Sequence, residues 1–333
     1  MSRNQDEANK APVLTISANP ALDLSVGLAQ LVPGALHRAE SVELTAAGKG
    51  VNMARVLAAL GHPVCVTGFL GKDNDAAFVD AFADMGVEDA FVRLPGATRI
   101  NTKLTEQDGR VSDINAPGLA LEEEHWQRLL DTLDQRLSQP QLRPAAVMIG
   151  GSLPPGIAPQ ALGELISRVK AAGIPVWADT SGEALRVAVK AGADAVKPNV
   201  EELADWAGRA LPGDDAIHQA TLELFAAGVG DVVVSAGASG VTWLGQQGLW
   251  QSLPPAVKVS NTVCAGDTLF AGLLHGVLCE WSAEQALRFA TALSAEAVRH
   301  TGVGCSDAGD FSDLLSDTRV RRRNDVEARG VMA

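Results

Sequence analysis

The sequence predicts a three-layer α/β fold: a mostly parallel central sheet, helices on both of its faces, and a small second sheet inserted as a lid. Three observations carry this prediction. Short apolar runs alternate with helix-length stretches along most of the chain, the pattern of a parallel sheet covered on both sides. Two segments, 24–45 and 91–115, break the rhythm with strand-like alternation of apolar and polar residues. The length of 333 residues, with 47% hydrophobic and 20% charged, suits a substantial buried core.

Taken in order, Val13 to Ser17 reads as the first strand, Val51 to Leu60 as a helix and Val64 to Gly68 as the next strand. Helices follow at Phe78 to Met85 and Glu124 to Leu137, then a strand at Ala146 to Gly150, a helix at Gln160 to Ala172 and a strand at Val176 to Asp179. The next helix is placed near Glu183 to Ala191 and a short strand at Ala195 to Lys197. Helices at Glu201 to Ala207 and Ala216 to Ala227 precede a strand at Asp231 to Ser235, and long helices start at Thr268 and Ala283. Residues 1–12 read as a disordered tail, 13–312 as one domain carrying the two lid segments, and 313–333 as a polar C-terminal tail. In such folds a ligand binds beyond the carboxyl ends of the strands.

A net charge of −13 argues against general binding to nucleic acid or anionic membrane, which relies on Lys and Arg. The basic run Arg319 to Arg323 reads as a solvated end. Cys65, Cys264, Cys279 and Cys305 show neither C-x-x-C nor zinc spacing, so reduced thiols and a cytoplasmic location are expected. No apolar run reaches membrane-spanning length, and no signal segment opens the chain.

The most informative stretch is Asn261 to Leu274, where a loop with small residues turns into an apolar helix. Free N–H groups at such a turn can hold an anion, with Asp267 facing the same point. Ala265, Gly266 and Asp267 are thus candidates for an anion hole, and the Asp267 carboxylate for a base that takes a hydroxyl proton. An Asp in the first turn of a buried helix, favoured there by the macrodipole, is the bland alternative.

Other segments offer ligand chemistry. Gly48, Lys49, Gly50 and Asn52 form a glycine-bearing loop before a helix, without the spacing of a P-loop or a dinucleotide fingerprint. Period-two alternation puts Arg99, Asn101 and Lys103 on one strand face, a phosphate or polyol grip or else a solvated face. Asp23 is placed at a strand end within reach of sugar hydroxyls, and Ser152 ends a later strand. Lys197, Asn199 and Glu202 lie where a strand gives way to a helix, an arrangement that also fits an ordinary capping box. Ser235, Ala236, Gly237, Ala238, Ser239 and Gly240 form a turn able to wrap a nucleotide phosphate or simply to join a hairpin.

The order of these motifs resembles the ribokinase-like phosphofructokinase-B family of sugar kinases from about Val13 to about Asp307. Thr98 to Lys103 with Asp113 to Asn115 resembles the branch of bacterial fructose-1-phosphate and tagatose-6-phosphate kinases, the first more closely. The resemblance implies a ribokinase-like fold and ATP-dependent phosphorylation of fructose 1-phosphate at its 6-hydroxyl, with tagatose 6-phosphate or fructose 6-phosphate as alternative acceptors. It implies Asp267 as base, and Asp23, Gly48, Lys49, Asn52, Arg99, Asn101, Lys103 and Ser152 as substrate-binding residues. ATP would be held by Lys197, Asn199 and residues 235–240 with Gly266 and Asp267, and Mg2+ by Glu202 through water. A homodimer joined through lid strands is expected, with no nucleic-acid or membrane partner. Two departures from the family pattern are Ala47, usually Gly, and Cys264, usually Gly or Ser. If either backbone needed positive φ, a Cβ there would cost about 1 kcal/mol or more, and a sugar-phosphate-binding regulator weakened in catalysis would be the alternative.

Overall fold

The computed structural model describes residues 11–323. All five residues of the first strand, VLTIS, are buried, because neighbours pair on both edges and helices cover both faces. The strands are β1 (Val13–Ser17), β2 (Ala21–Leu28), β3 (Ser41–Ala47), β4 (Val64–Gly71), β5 (Glu88–Asp89), β6 (Val92–Leu94), β7 (Ile100–Glu106), β8 (Val111–Ile114), β9 (Ala146–Gly150), β10 (Val176–Asp179), β11 (Ala195–Val196), β12 (Asp231–Ser235), β13 (Val241–Gly245), β14 (Gly248–Leu253) and β15 (Arg319–Arg323). The helices are α1 (Lys49–Ala59), α2 (Ala76–Met85), α3 (Glu123–Ser138), α4 (Pro159–Ala171), α5 (Gly182–Lys190), α6 (Val200–Ala207), α7 (Gly213–Ala226), α8 (Ala265–Leu278), α9 (Ala283–Ala297) and α10 (Phe311–Asp317).

The main sheet has the order β15-β14-β13-β12-β11-β10-β9-β1-β4-β5, with β6 also on β4. Pairing is parallel from β12 through β4 and antiparallel from β12 through β15. Chain order reverses between β1 and β9, so the switch point that opens a crevice in such sheets lies there. Side-chain alternation feeds two cores. Ile16, Val147, Ile149 and Val232 face Trp126, Leu129, Leu165 and Leu224 of α3, α4 and α7, whereas Val13, Met148 and Val233 face Met53, Leu57, Phe270 and Leu274 of α1 and α8.

The lid is a four-stranded sheet, β3-β2-β7-β8. Registers Leu24↔Leu44, Leu24↔Thr102 and Thr102↔Ile114 put Leu24, Leu44 and Ile114 on one face. Asp23, Asn101, Lys103 and Asp113 share the other. The lid strands begin at Ala21 and end at Ala47, beyond the 24–45 expected, and Val92–Leu94 belongs to the main sheet rather than the lid.

One further expectation is corrected. The segment from 313 is not a polar tail as far as residue 323: Phe311 and Leu314 are buried, and β15 pairs along β14 from Leu253↔Arg319 to Leu249↔Arg323. Its arginines suit an edge strand, where charge deters further pairing, and Arg322 lies over the Trp250 ring at 5.8 Å. The turn 235–240 joins the antiparallel pair β12 and β13, so it does link a hairpin, one of the two uses the sequence left open for it. Of the expected N-terminal tail, residues 1–10 lie outside the described residues, as do 324–333. No helix among the described residues is long and apolar enough to cross a membrane.

Candidate active site

Two helix N-termini meet over the switch point. Gly48, with φ of 127°, lets β3 run directly into α1, and a Cβ there would lie 2.8 Å from Ser17 Oγ. A Cβ at Gly50 would meet Ile16 O at 2.6 Å, so the glycines allow α1 to start against the end of β1. α8 starts beside it. Asn52 Nδ2 donates to Asp267 Oδ2 at 2.7 Å, joining the first turns of the two helices.

Asp267 is 3% exposed. Burial pushes its carboxyl up to about 7, and the nearby Asp179 carboxylate adds to the rise against Lys49, the Asn52 amide and Lys197. The first intrahelical bond of α8 is Thr268 N–H to Cys264 O at 2.9 Å, so the N–H groups of Ala265, Gly266 and Asp267 precede the ladder. Ala265 N–H leans on Thr262 O at 3.3 Å, which leaves Gly266 and Asp267 as the donors better placed for an anion.

Asp179 is a site residue that the sequence analysis did not single out. It ends β10 with no exposure, its Oδ1 accepts from Lys49 Nζ at 2.8 Å, and Lys197 Nζ lies 3.1 Å from its Oδ2. Burial opposes its ionisation, but Lys197 and Lys49 outweigh burial and hold the carboxyl below its ordinary value. Its position at the carboxyl end of a central parallel strand was the available signal. Lys49, expected to grip a sugar phosphate, is instead tied to this carboxylate. Burial would lower its ammonium, yet Asp179 and Asp267 hold it above the ordinary value.

Over the lid's polar face, a cavity of about 180 Å³ is lined by Asp23, Asn101, Thr102, Lys103, Asp113, Asn115 and Val263. Asn101 Nδ2 donates to Asp23 Oδ1 at 3.1 Å, and Lys103 Nζ lies 3.8 Å from Asp113 Oδ1. Burial raises the Asp23 carboxyl despite Asn101 and Lys103. Arg99 does not join them. Its guanidinium donates to the carbonyls of Pro20, Ala116 and Asn19 at 3.2, 2.8 and 2.7 Å, because β7 starts at Ile100 and period-two alternation stops short of Arg99. Ser152 is exposed and outside this cavity, accepting from Asn19 Nδ2 at 3.2 Å.

On the other side of Asp267 a cavity of about 630 Å³ is lined by Lys197, Asn199, Glu202, Ser235, Gly237, Ala238, Gly240, Gly266 and Asp267. Its largely apolar wall runs from Pro254 to Val263 and along α9 to Val298, and the part from Pro254 to Val259 was unforeseen from sequence. Val263 lines both cavities. Ala236 and Ser239 instead line another cavity, which shares Gly240 and Val241 with this one. Asn199 and Glu202 do form a capping box, Asn199 Oδ1 accepting from Glu202 N–H at 2.7 Å and Glu202 Oε2 from Asn199 N–H at 2.9 Å. That engages one oxygen of a carboxylate on the cleft wall, and its hard oxygen donors beside Asp179 and Asp267 suit Mg2+ held through water.

Neither departure in the loops is strained. Cys264 has φ of −90°, and among the described residues only Glu280 combines a side chain with positive φ, so Ala47 needs no such conformation.

Residues 13–308 match the pfkB family carbohydrate kinase model. The chain is 44% identical over 308 residues to a 1-phosphofructokinase of Vibrio cholerae, covering 92% of this chain and 96% of the relative. It is 39% identical over 304 residues to a 1-phosphofructokinase of Escherichia coli, covering 91% and 96%. A crystal structure of Escherichia coli phosphofructokinase-2 in complex with substrates and products aligns at a TM-score of 0.84 with 30% identity, covering 92% of this chain and 98% of that one.

Proposed function

The chain belongs to the pfkB family of carbohydrate kinases, and we propose that it transfers the γ-phosphoryl group of ATP to the 6-hydroxyl of fructose 1-phosphate, giving fructose 1,6-bisphosphate and ADP. The observation that carries this reading is the placement of Asp267. Its buried carboxyl, raised to about 7, lines the nucleotide-sized cavity, which shares Val263 with the lid cavity that holds Lys103, Asn101 and Asp23. A base poised near neutrality takes a hydroxyl proton efficiently.

The sugar phosphate lies under the lid, with Lys103 and Asn101 holding its 1-phosphate and Asp23 its hydroxyls. The 6-hydroxyl then points toward Asp267. As its proton passes to the carboxylate, the oxygen bonds to the γ-phosphorus and the bond to the β-γ bridging oxygen breaks, releasing ADP. Gly266 and Asp267 N–H groups hold the negative charge spread over the transferring group. Lys197 approaches the same point, since a Cβ on Gly266 would lie 3.1 Å from its Nζ. The turn around Gly237 and the Pro254 to Val263 wall take the nucleotide. Asn199 and Glu202 would hold Mg2+ through water, which supplies neutralisation of the ATP phosphates when bound.

The chain acts as a cytoplasmic homodimer in this reading. The lid's outer face supports it: Val42 and Ile114 are 62% and 60% exposed, with Leu44 and Ile100 beside them. Steady-state ADP release with fructose 1-phosphate, tagatose 6-phosphate, fructose 6-phosphate and fructose tests the assignment. kcat/KM for fructose 1-phosphate is expected to exceed that for fructose by at least about 10³-fold, roughly 4 kcal/mol, because the remote phosphate orients the reactive end. A preference for free fructose would overturn it.

A further inference from the structure

α1 and α8 both begin in the cleft, and their other ends meet again. α1 stops at Ala59, and the turn that follows brings His62 N–H to Leu57 O at 3.0 Å. α8 carries His275 in its last turn and Cys279 immediately after it. The three side chains converge at the surface, His275 and Cys279 lying roughly 12 and 18 Å along the helix from Asp267 at the helical rise per residue. His62 Nε2 and His275 Nδ1 are 2.8 Å apart, Cys279 Sγ lies 3.9 Å from His275 Nδ1, and one donor atom from each residue falls within 4.8 Å of the others.

We propose that His62, His275 and Cys279 bind one thiophilic divalent metal ion of the Zn2+ class, with the fourth position open to water. Two imidazoles and a thiolate are a borderline-soft donor set, which favours Zn2+ over Mg2+ or Ca2+. Tetrahedral bonds of about 2.0 to 2.3 Å place ligand atoms about 3.3 to 3.8 Å apart. The observed triangle therefore needs the histidine pair to open and the thiol to close by only a few tenths of an ångström to an ångström. Two nitrogens 2.8 Å apart share one proton, and a metal ion takes that proton's place. The cluster sits at the C-terminal ends of both helices, the negative ends of their dipoles, which also favours a cation.

The supporting shell is built. The ring of Trp281 stands edge-on to His275 at 5.0 Å and that of Phe289 lies 5.5 Å away, fixing the plane of the imidazole. Glu280 adopts a φ of 57° to turn the chain, and Trp281 N–H reaches back to Gly276 O at 2.9 Å. A side chain in that conformation costs about 1 to 2 kcal/mol, and here the turn sets Trp281 against the cluster. Bound metal would tie the C-terminal ends of the two helices whose N-terminal ends carry Asn52 and Asp267.

The test uses full-length, tag-free protein stripped with a chelator, kept reduced and titrated with CoCl2, then ZnCl2. The wild type is expected to take up one Co2+ with thiolate charge-transfer absorption and a tetrahedral ligand-field spectrum, quenching of Trp281 fluorescence, and a rise in Tm with Zn2+. Cys305→Ser should behave the same. Cys279→Ser should lose the charge-transfer band, and His62→Gln should weaken binding by more than about 100-fold, beyond what outer-sphere partners cost. Cys279 is exposed, and ADP release reports that each variant has folded. Absence of a saturable complex at micromolar Co2+, or a charge-transfer band that survives Cys279→Ser, would overturn the site whatever the sugar specificity proves to be.

Discussion

The amide of Asn52 and the carboxylate of Asp267, far apart in sequence, share a 2.7 Å hydrogen bond that fixes the first turn of α1 against the first turn of α8. A donor on the carboxylate favours its charged form, so Asn52 restrains a pKa that burial drives up to about 7. The acid limb of kcat/KM against pH is expected near 7. In Asn52→Leu it should move upward by at least about half a unit, roughly 0.7 kcal/mol, and an unmoved limb would disconnect it from Asp267.

Asp267→Asn should lower kcat by about 10²- to 10⁴-fold while leaving ATP affinity nearly intact, because the amide keeps the shape and cannot accept the proton. The same change should stabilise the fold at pH 8. A carboxyl at 3.8 unfolded and about 7 folded binds more protons in the native state between those values, so its contribution to stability falls as pH rises through that window. A Tm at pH 8 above the wild type by more than about 2 °C is expected, with the gap shrinking toward pH 4. Loss of kcat smaller than about tenfold would remove Asp267 from the role of base.

Asp179→Asn pulls the other way on both quantities. Leaving Lys49 and Lys197 without their buried counter-charge should cost about 3 to 5 kcal/mol of stability, read as a lower denaturant midpoint. Removing a neighbouring negative charge should also move the acid limb of Asp267 downward. An upward move would contradict the arrangement.

Lys103→Ala and Arg99→Ala should separate binding from bracing. Lys103 lines the lid cavity, and its loss is expected to raise KM for fructose 1-phosphate by at least about tenfold, the scale of a hydrogen bond to a charged group. KM for ATP should hardly change. Arg99 holds three backbone carbonyls, so Arg99→Ala should first appear as a lower Tm. A KM effect confined to Arg99 would reverse this division.

Leu44→Lys places a charge on the apolar face of the lid. Sedimentation velocity should show the dimer dissociating at concentrations at least about tenfold higher than the wild type requires. An unchanged dimer would put the interface elsewhere.

The layered fold was legible because β1, β9 and β12 are short apolar runs between helices, and the place of Asp267 in the first turn of a buried helix because a loop with small residues gives way to an apolar run there. Asp179 carried no such pattern, since a lone Asp after VWA acquires meaning only when Lys49 and Lys197, distant in sequence, arrive beside it. Arg99 was misplaced by one residue of strand boundary. Pro254 to Val259 matched no motif, and the arginines of β15 hid a strand whose inward positions, Val320 among them, meet the core.

β3 passes into α1 through Gly48 alone, and β1 passes into β2 through Ala18 to Pro20. Two of the lid's four connections to the main domain are thus links of one and three residues, the others running through 95–99 and 115–122, and the shortest is bonded directly to Lys49. Any swing of the lid over a sugar must turn the peptide that carries this lysine, whose ammonium is anchored at Asp179. Seating of the acceptor and alignment of the charges beneath Asp267 are thus geared to each other by the shortness of the hinge, with no intervening relay of side chains.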